Sequence, residues 1–154
     1  MVNKLAVKNM RSRYVEVEHP TILIDGRPLD FILDEVYPDH LLLGLVPMII
    51  EWISLEEEVT LVGQAYESDQ VIKILPILMC PDDCDLTCTL VVVEVKIMDD
   101  LVHWKRFGID KNKQKEFIKY NGFLETNVEW LNKVPSMTFY KEDYKTLDKI
   151  YKHL

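Results

Sequence analysis

The sequence has little of what collagen-like, disordered or disulfide-rich chains require. Only 5 glycines and 7 prolines stand among its 154 residues, which excludes collagen-like and low-complexity character. The 3 cysteines are odd in number and do not form a disulfide framework. A hydrophobic fraction of 48% argues against wholesale disorder. A chain of this length can bury roughly 70% of its unfolded surface, so we expect one folded domain over residues 1–154 that needs no metal or disulfide.

The sequence also lacks the apolar segments of a leader or a membrane span. Residues 1–8 contain no apolar core of the roughly 7–15 residues that a signal peptide needs. The most apolar run, residues 41–50, is far shorter than the roughly 20 residues that cross a bilayer. We therefore expect a cytoplasmic protein without membrane contact. In that reducing compartment its cysteines would remain thiols.

Positive charge is scarce in the middle of the chain. Residues 20–100 hold 17 acids and 3 bases, and the whole chain has a net charge of −8. This balance argues against nucleic-acid binding, which needs a positive footprint. The acidic segment is interpreted either as a solubilising face or as a docking surface for a basic protein partner. Its most concentrated acids are the run Glu56, Glu57 and Glu58 and the turn acids Asp82, Asp83 and Asp85.

The first half of the chain predicts short elements of both kinds. Alternating polarity predicts strands at residues 13–17 and 21–24, the second closed by the turn pair Asp25-Gly26. Pro28 suits the first turn of a helix over residues 29–36. The apolar residues 39–53 are expected to be helical, with a break at Pro47.

Residues 54–66 are ambiguous from pattern alone. The sequence from Ser54 to Glu57 matches a capping box, which would start a helix. Residues 59–62 favour a strand instead. Both alternatives stay open at this point.

The strongest strand signals lie at residues 71–79 and 87–97, which we expect to form an antiparallel hairpin across a turn at 81–85. The aliphatic run inside the second strand predicts burial on both of its faces. Pro76 predicts that the first strand lies at an edge or carries a bulge.

The last third predicts further strands and a terminal helix. We expect strands at residues 101–109 and 136–140. Residues 110–120 suit a helix, although the following Asn121-Gly122 could also turn a hairpin, so residues 110–125 stay open. A second capping box predicts a short helix from Thr126 that ends before Pro135. Together the patterns predict an α+β fold: a single, mainly antiparallel sheet with a few helices packed on it. These include a C-terminal helix with Tyr144, Leu147, Ile150, Tyr151 and Leu154 on one face.

The three cysteines are evenly spaced, with three residues between neighbours. Structural zinc sites use pairs of closely spaced thiolates instead. On a hairpin, Cys80 and Cys88 would face each other and Cys84 would point into solvent at the turn. We expect reduced thiols without a metal. The alternative is a small enzyme or metal-binding protein centred on Cys80, Cys84 and Cys88.

No catalytic constellation stands out, and no cofactor is predicted. The 4 histidines are isolated, and the chain contains no phosphate-cradling glycine loop. Strand alternation would place Trp104 and Arg106 on one face, as an aromatic and cationic contact surface. The alternative is that Trp104 fills the core and Arg106 lies along it.

Three stretches, residues 77–83, 102–108 and 128–135, resemble small acidic bacterial immunity proteins of polymorphic-toxin systems. The resemblance implies a cytoplasmic protein that binds and blocks a cognate toxin, often a basic nuclease, and it assigns no site residue. We therefore predict a non-enzymatic protein-binding module with a basic protein partner; a self-associating subunit, such as a homodimer, is a further alternative. The predicted partner-binding residues are Glu56, Glu57, Glu58, Asp82, Asp83, Asp85, Trp104 and Arg106.

Overall fold

Two antiparallel sheets and a small set of helices make up the described part of the chain. The computed structural model describes residues 1–86, 88–112 and 122–151. The α+β class and the mainly antiparallel strand pairing are confirmed. The strands form two sheets rather than the single sheet that the sequence predicted.

The smaller sheet contains β1 (Leu5–Met10), β2 (His19–Ile24) and β3 (Arg27–Pro28), paired in that order. The predicted strand at residues 21–24 is thus confirmed, and positive φ angles at Asp25 and Gly26 turn it into β3. The predicted strand at residues 13–17 is wrong, because these residues connect β1 to β2. Most of their side chains are exposed, so the alternation has no buried face to stabilise a strand.

Helix α1 (Leu29–Val36) follows Pro28 directly, as predicted. The expected helix at residues 39–53 is wrong. That segment holds a 3₁₀ turn at Pro38–His40, the two-residue strand β4 (Val46–Pro47) and a second 3₁₀ turn at Ile50–Trp52. Positive φ angles at Leu41 and Gly44 interrupt any helix. Residues 45–50 are all buried, and their apolar character reflects this path through the core.

The ambiguous segment after Ser54 is helical, because α2 spans Glu56–Glu67. Its first turn holds only acids, which interact favourably with the positive end of the helix dipole. Leu61 and Val62 are buried, and the Tyr66 ring stacks on Tyr151 with centroids 3.6 Å apart. These contacts, rather than local propensity, anchor α2 against the rest of the core.

The larger sheet runs in the order β4, β5 (Ile72–Met79), β6 (Val91–Ile97), β7 (Leu101–Asp110) and β8 (Val128–Trp130). A last strand, β9 (Met137–Tyr140), also pairs with β7.

Three predictions for this sheet are confirmed. β5 and β6 pair antiparallel, and the register shifts between Pro76 and Leu78, where a bulge was expected. Residues 91–95 are buried without interruption, so β6 is covered on both faces.

The helix predicted from Thr126 is wrong, because Val128–Trp130 pairs with β7 as β8. A Cβ atom at Gly108 would collide with the Val128 and Trp130 side chains, so this close pairing requires glycine on β7. The helix expected at residues 110–120 lies mostly outside the described residues.

The C-terminal segment is helical from Lys141 to Tyr151 but is not one regular helix. It comprises α3 (Lys141–Tyr144), a 3₁₀ turn (Lys145–Leu147) and α4 (Asp148–Tyr151). Leu147 and Ile150 are buried as predicted, whereas Leu154 lies outside the described residues. Within the described ranges, no helix combines the length and the apolar character that a membrane crossing requires.

Candidate partner-binding surface

The connection from β5 to β6, residues 80–90, is closed by a disulfide between Cys80 and Cys88. Their Cα atoms are 5.9 Å apart, so the expectation that they face each other is confirmed. The expectation that both remain thiols is wrong for this structure. Leu86 and Leu90 are buried, and together with the disulfide they hold the loop against the core. We call residues 80–90 the cysteine loop.

Cys84 is a free thiol at the centre of the cysteine loop. It is half-buried rather than pointing freely into solvent, and its Sγ donates to the Pro81 carbonyl oxygen at 3.2 Å. Burial raises the pKa of the Cys84 thiol, and the charges of Asp85, Asp83 and Asp82 raise it further. A raised pKa disfavours the nucleophilic thiolate, so this cysteine does not have the environment of a reactive one.

Glu58 joins helix α2 to the cysteine loop. Its side chain is fully buried, and its Oε1 accepts a hydrogen bond from the Leu86 backbone N–H at 3.0 Å. Just before the helix, the Ser54 N–H donates to the Cys84 carbonyl oxygen at 3.2 Å. The role predicted for Glu58 as an exposed partner contact is therefore wrong, because its carboxylate is used inside the protein.

These two links bring the two acidic segments of the sequence together. Glu56, Glu57, Asp82 and Asp83 are exposed, and Asp85 is half-buried beside them. We call these five residues the acidic surface. Among the described residues, no ion pair involves Glu56, Glu57, Asp82 or Asp83. Four carboxylates thus remain accessible on two elements that the fold holds side by side.

Trp104 is not part of any surface. It is fully buried, and its ring makes edge contacts with Phe107, Phe139 and Tyr144. Its indole N–H donates to the Tyr144 hydroxyl at 3.1 Å. The predicted partner contact of Trp104 is therefore wrong, and the alternative that it fills the core is confirmed.

Arg106 lies on the opposite face of β7 from Trp104, contrary to the predicted alternation. The register of β6 and β7 shifts between Glu94 and Val95, so that Arg106 pairs with Glu94 while Trp104 pairs with Val95. The extra residue on β7 is Lys105, and such a bulge reverses the alternation of side chains beyond it. The surface predicted from Trp104 and Arg106 together does not form.

The Arg106 guanidinium is held within the sheet. Its Nε and Nη2 donate to Glu94 Oε1 at 3.0 and 2.9 Å, and its Cζ lies 3.7 Å from the centroid of the Trp130 ring. Lys105 Nζ lies 3.3 Å from the other Glu94 oxygen. Burial raises the pKa of the Glu94 carboxyl, but the hydrogen bonds and charges of Arg106 and Lys105 outweigh burial and lower its pKa overall. We call Glu94, Lys105, Arg106 and Trp130 the cation cluster.

Sequence reasoning missed the burial of three carboxylates among the described residues, Asp30, Glu58 and Glu94. For Glu58 a signal was available, because a helix over this segment places it on the same face as Leu61 and Val62. For Glu94 the signal was its position inside an otherwise aliphatic strand, where a buried charge requires a partner. The pairing of Glu94 with Arg106 depends on the bulge at Lys105, and no sequence pattern predicts that bulge.

Within the described ranges, no three or more histidine, cysteine, aspartate or glutamate side chains are grouped so that they could hold a metal ion. Comparison of the chain with protein-family models, curated proteins and solved structures finds no significant match. The geometry of the acidic surface is therefore the main support for a functional assignment.

Proposed function

We propose that this protein is a non-enzymatic binding module that docks a basic protein through its acidic surface. In its concrete form it acts as an immunity-type inhibitor that covers a basic toxin domain, in line with the resemblance noted for the sequence. A bound cationic surface would neutralise the accessible carboxylates without a conformational change in either acidic segment.

One observation carries the proposal: Glu58 is buried to hold the two exposed acidic segments together. Concentrated like charge opposes folding through self-repulsion. Here the Glu58 and Ser54 links fix the two acidic segments, while Glu56, Glu57, Asp82 and Asp83 make no ion pair among the described residues. Such a patch accelerates encounter with a positive surface and selects against acidic partners.

The alternatives find less support. For a metal centre, no three or more histidine, cysteine, aspartate or glutamate side chains among the described residues are grouped so that they could hold an ion, and the cysteine spacing is not that of a structural zinc site. Self-association through the acidic surface would bring two negative patches together, which costs free energy. A homodimer would therefore have to use another face.

The experiment identifies the partner and then measures its association. Affinity purification from the native cell with mass spectrometry names the candidate, and stopped-flow kinetics follow at low and high salt. The surface variant carries Glu56→Gln, Glu57→Gln, Asp82→Asn and Asp83→Asn. We expect its association rate constant at low salt to fall by about tenfold or more, because steering by complementary charge contributes factors of that size.

A matched control variant removes the same number of charges elsewhere, through Glu16→Gln, Glu18→Gln, Asp39→Asn and Glu142→Gln, all of them exposed. We expect this variant to associate nearly as fast as the wild type. Association that is independent of salt, or equally slowed in both variants, would contradict docking through the acidic surface.

A cytoplasmic location is part of this proposal, and the cysteine loop offers a way to test it. Disulfides are rare in a reducing cytosol and persist in oxidising compartments. Rapid alkylation of intact cells followed by mass spectrometry should find Cys80 and Cys88 reduced if the protein works in the cytoplasm. Recovery of the disulfide would contradict that location and leave the docking surface to be tested separately.

A further inference from the structure

A cavity of about 550 Å³ lies on the side of β2 that faces α1 and the segment leading to β4. This size is typical of small-molecule sites, which range over roughly 300–1,000 Å³. Its walls are mainly apolar and include Ile22, Leu29, Leu45 and Leu78, all of them buried. Arg11, Arg13 and Phe31 also line it and are exposed, so they mark its mouth.

Two residues that line this cavity each carry a buried polar atom without a hydrogen-bond partner among the described residues. His19 is only 2% exposed, and its Nε2 has no hydrogen-bond partner in the described part of the chain. The Ser12 hydroxyl oxygen is likewise buried and unpartnered there. Both residues line the cavity. Buried polar groups are nearly always hydrogen-bonded in folded proteins, so this pair points to a missing polar partner.

The chemistry of that partner follows from the other ring nitrogen of His19. Nδ1 lies 3.0 Å from the Pro20 carbonyl oxygen. The Thr21 hydroxyl, 3.4 Å from Nδ1, could donate to it, but the carbonyl oxygen only accepts, so the shorter contact to Pro20 requires Nδ1 to carry the hydrogen. In the neutral ring, Nε2 then presents a lone pair and requires a donor. The Ser12 hydroxyl can donate or accept, so one hydroxyl group on a ligand suits both atoms.

The charged residues of the cavity favour a neutral ligand. Asp30 lines the inner wall and is buried, and its Oδ2 accepts the Gly44 N–H at 2.9 Å. Its charge opposes an anion placed deep in the cavity, and the arginines at the mouth oppose a cation that enters.

We propose that this cavity binds a small neutral molecule with a largely apolar body and one hydroxyl group, such as a phenol or an alcohol. The apolar walls enclose the body, and the ligand hydroxyl donates to His19 Nε2 and contacts the Ser12 hydroxyl after both side chains turn toward the cavity, because neither atom opens into it in this structure. This inference does not rest on the docking function, because the acidic surface and the cavity share no residue.

The test compares two probes with the same body, 4-propylphenol and 4-propylanisole. The methyl ether keeps the ring and the propyl chain but has no hydrogen to donate. Titrations followed by methyl NMR should show shifts at Ile22, Leu29, Leu45 and Leu78 with the phenol. We expect the phenol to bind about tenfold more tightly, because the ether leaves a buried acceptor unpaired.

Variants assign this preference to the cavity. His19→Phe keeps an aromatic ring but removes Nε2, and the two probes should then bind equally. His103→Phe is the matched control, since His103 is on β7 and does not line the cavity. If His19→Phe fails to fold, Ser12→Ala should weaken the phenol selectively, and Leu43→Trp should block both probes by filling the cavity.

Equal affinity of the two probes for the wild type would overturn the proposal, as would the absence of shifts at the cavity methyls. A phenol preference that survives in His19→Phe or, if that variant does not fold, in Ser12→Ala would overturn it as well. Preference lost in His19→Phe and kept in His103→Phe is the supporting result.

Discussion

The acidic surface and the cation cluster use carboxylates in opposite ways. In the cation cluster, Glu94 is buried between two cations, one of which also covers the Trp130 ring. In the acidic surface, four exposed carboxylates face water without ion pairs among the described residues. The charged groups of the cation cluster contact each other within the protein, whereas the carboxylates of the acidic surface remain available to a partner. Residues of the first kind should therefore affect stability and residues of the second kind association.

The largest expected effect lies beneath the cation cluster, at Trp104. Trp104→Ala removes a fully buried ring and its hydrogen bond to Tyr144, so we expect a loss of about 3–5 kcal/mol of unfolding free energy. Urea unfolding followed by circular dichroism measures it. Tyr140→Ala, at an exposed position on β9, is the control and should change stability little. A small loss of unfolding free energy in Trp104→Ala would contradict the burial of this ring in the aromatic core.

The disulfide of the cysteine loop should come next. Cys80 and Cys88 are 8 positions apart, and the double variant Cys80→Ser and Cys88→Ser should lose about 2–3 kcal/mol under oxidising conditions, because it frees a short loop in the unfolded chain. Cys84→Ser leaves the disulfide intact and is the control. Under strong reductant the wild type should fall to the level of the double variant. Equal stability of all three proteins in oxidising buffer would count against the bond.

Substitutions of Glu58 test the hydrogen-bond link between the two acidic segments. Glu58→Ala leaves the buried Leu86 N–H without its acceptor, which should cost about 1–3 kcal/mol. Glu58→Gln retains a carbonyl acceptor and should lose less. Hydrogen exchange at the Leu86 amide should accelerate in Glu58→Ala and much less in Glu58→Gln. Unchanged protection of that amide in both variants would contradict the link.

Glu94 gives the cation cluster a pH signature. Its pKa is lowered in the folded protein, while a glutamate in an unfolded chain has a pKa of about 4.3. The stabilisation is thus fully present above the unfolded pKa and is lost as the pH falls through the lower, folded pKa. Urea unfolding from neutral pH down to acid should show a steeper loss for the wild type than for Glu94→Gln. Parallel profiles would show that the cluster does not stabilise the charged carboxylate.

The smallest effect on stability belongs to the surface variant with Glu56→Gln, Glu57→Gln, Asp82→Asn and Asp83→Asn. Its side chains are exposed and make no ion pairs among the described residues, so each substitution should change the unfolding free energy by less than about 0.5 kcal/mol. Neutralising Glu56 and Glu57 removes a favourable interaction with the α2 dipole, which relief of self-repulsion offsets, so the sum should also stay small. Thermal unfolding at low salt measures it. A large loss of unfolding free energy would show that these carboxylates stabilise the fold, as Glu94 does.

Several elements were predictable because their signals are local. Pro28 and the apolar spacing behind it fixed helix α1, and Asp25-Gly26 fixed the turn before it. Pro76 predicted an edge strand or a bulge because proline cannot donate to a neighbouring strand, and the structure has the bulge. The aliphatic run in β6 predicted a strand that is buried on both faces.

Other elements depended on distant partners. Val128–Trp130 is a strand because Gly108 on β7 leaves room for it, which overrides the capping-box pattern at Thr126. Residues 39–53 look helical by composition, yet they form short 3₁₀ turns and the strand β4, and residues 45–50 are buried in the core. Tertiary burial outweighs local propensity in such segments, since propensities differ by only about 1 kcal/mol per residue.

The candidate site divides in the same way. The sequence alone determined where the acidic residues concentrate and that the two outer cysteines would face each other. Only the tertiary structure decided that Glu58 is buried, that Trp104 and Arg106 lie on opposite faces of β7, and that His19 lines a cavity with Nε2 unpaired. Charge and local spacing are properties of the chain. Burial and pairing arise only when residues far apart in sequence meet.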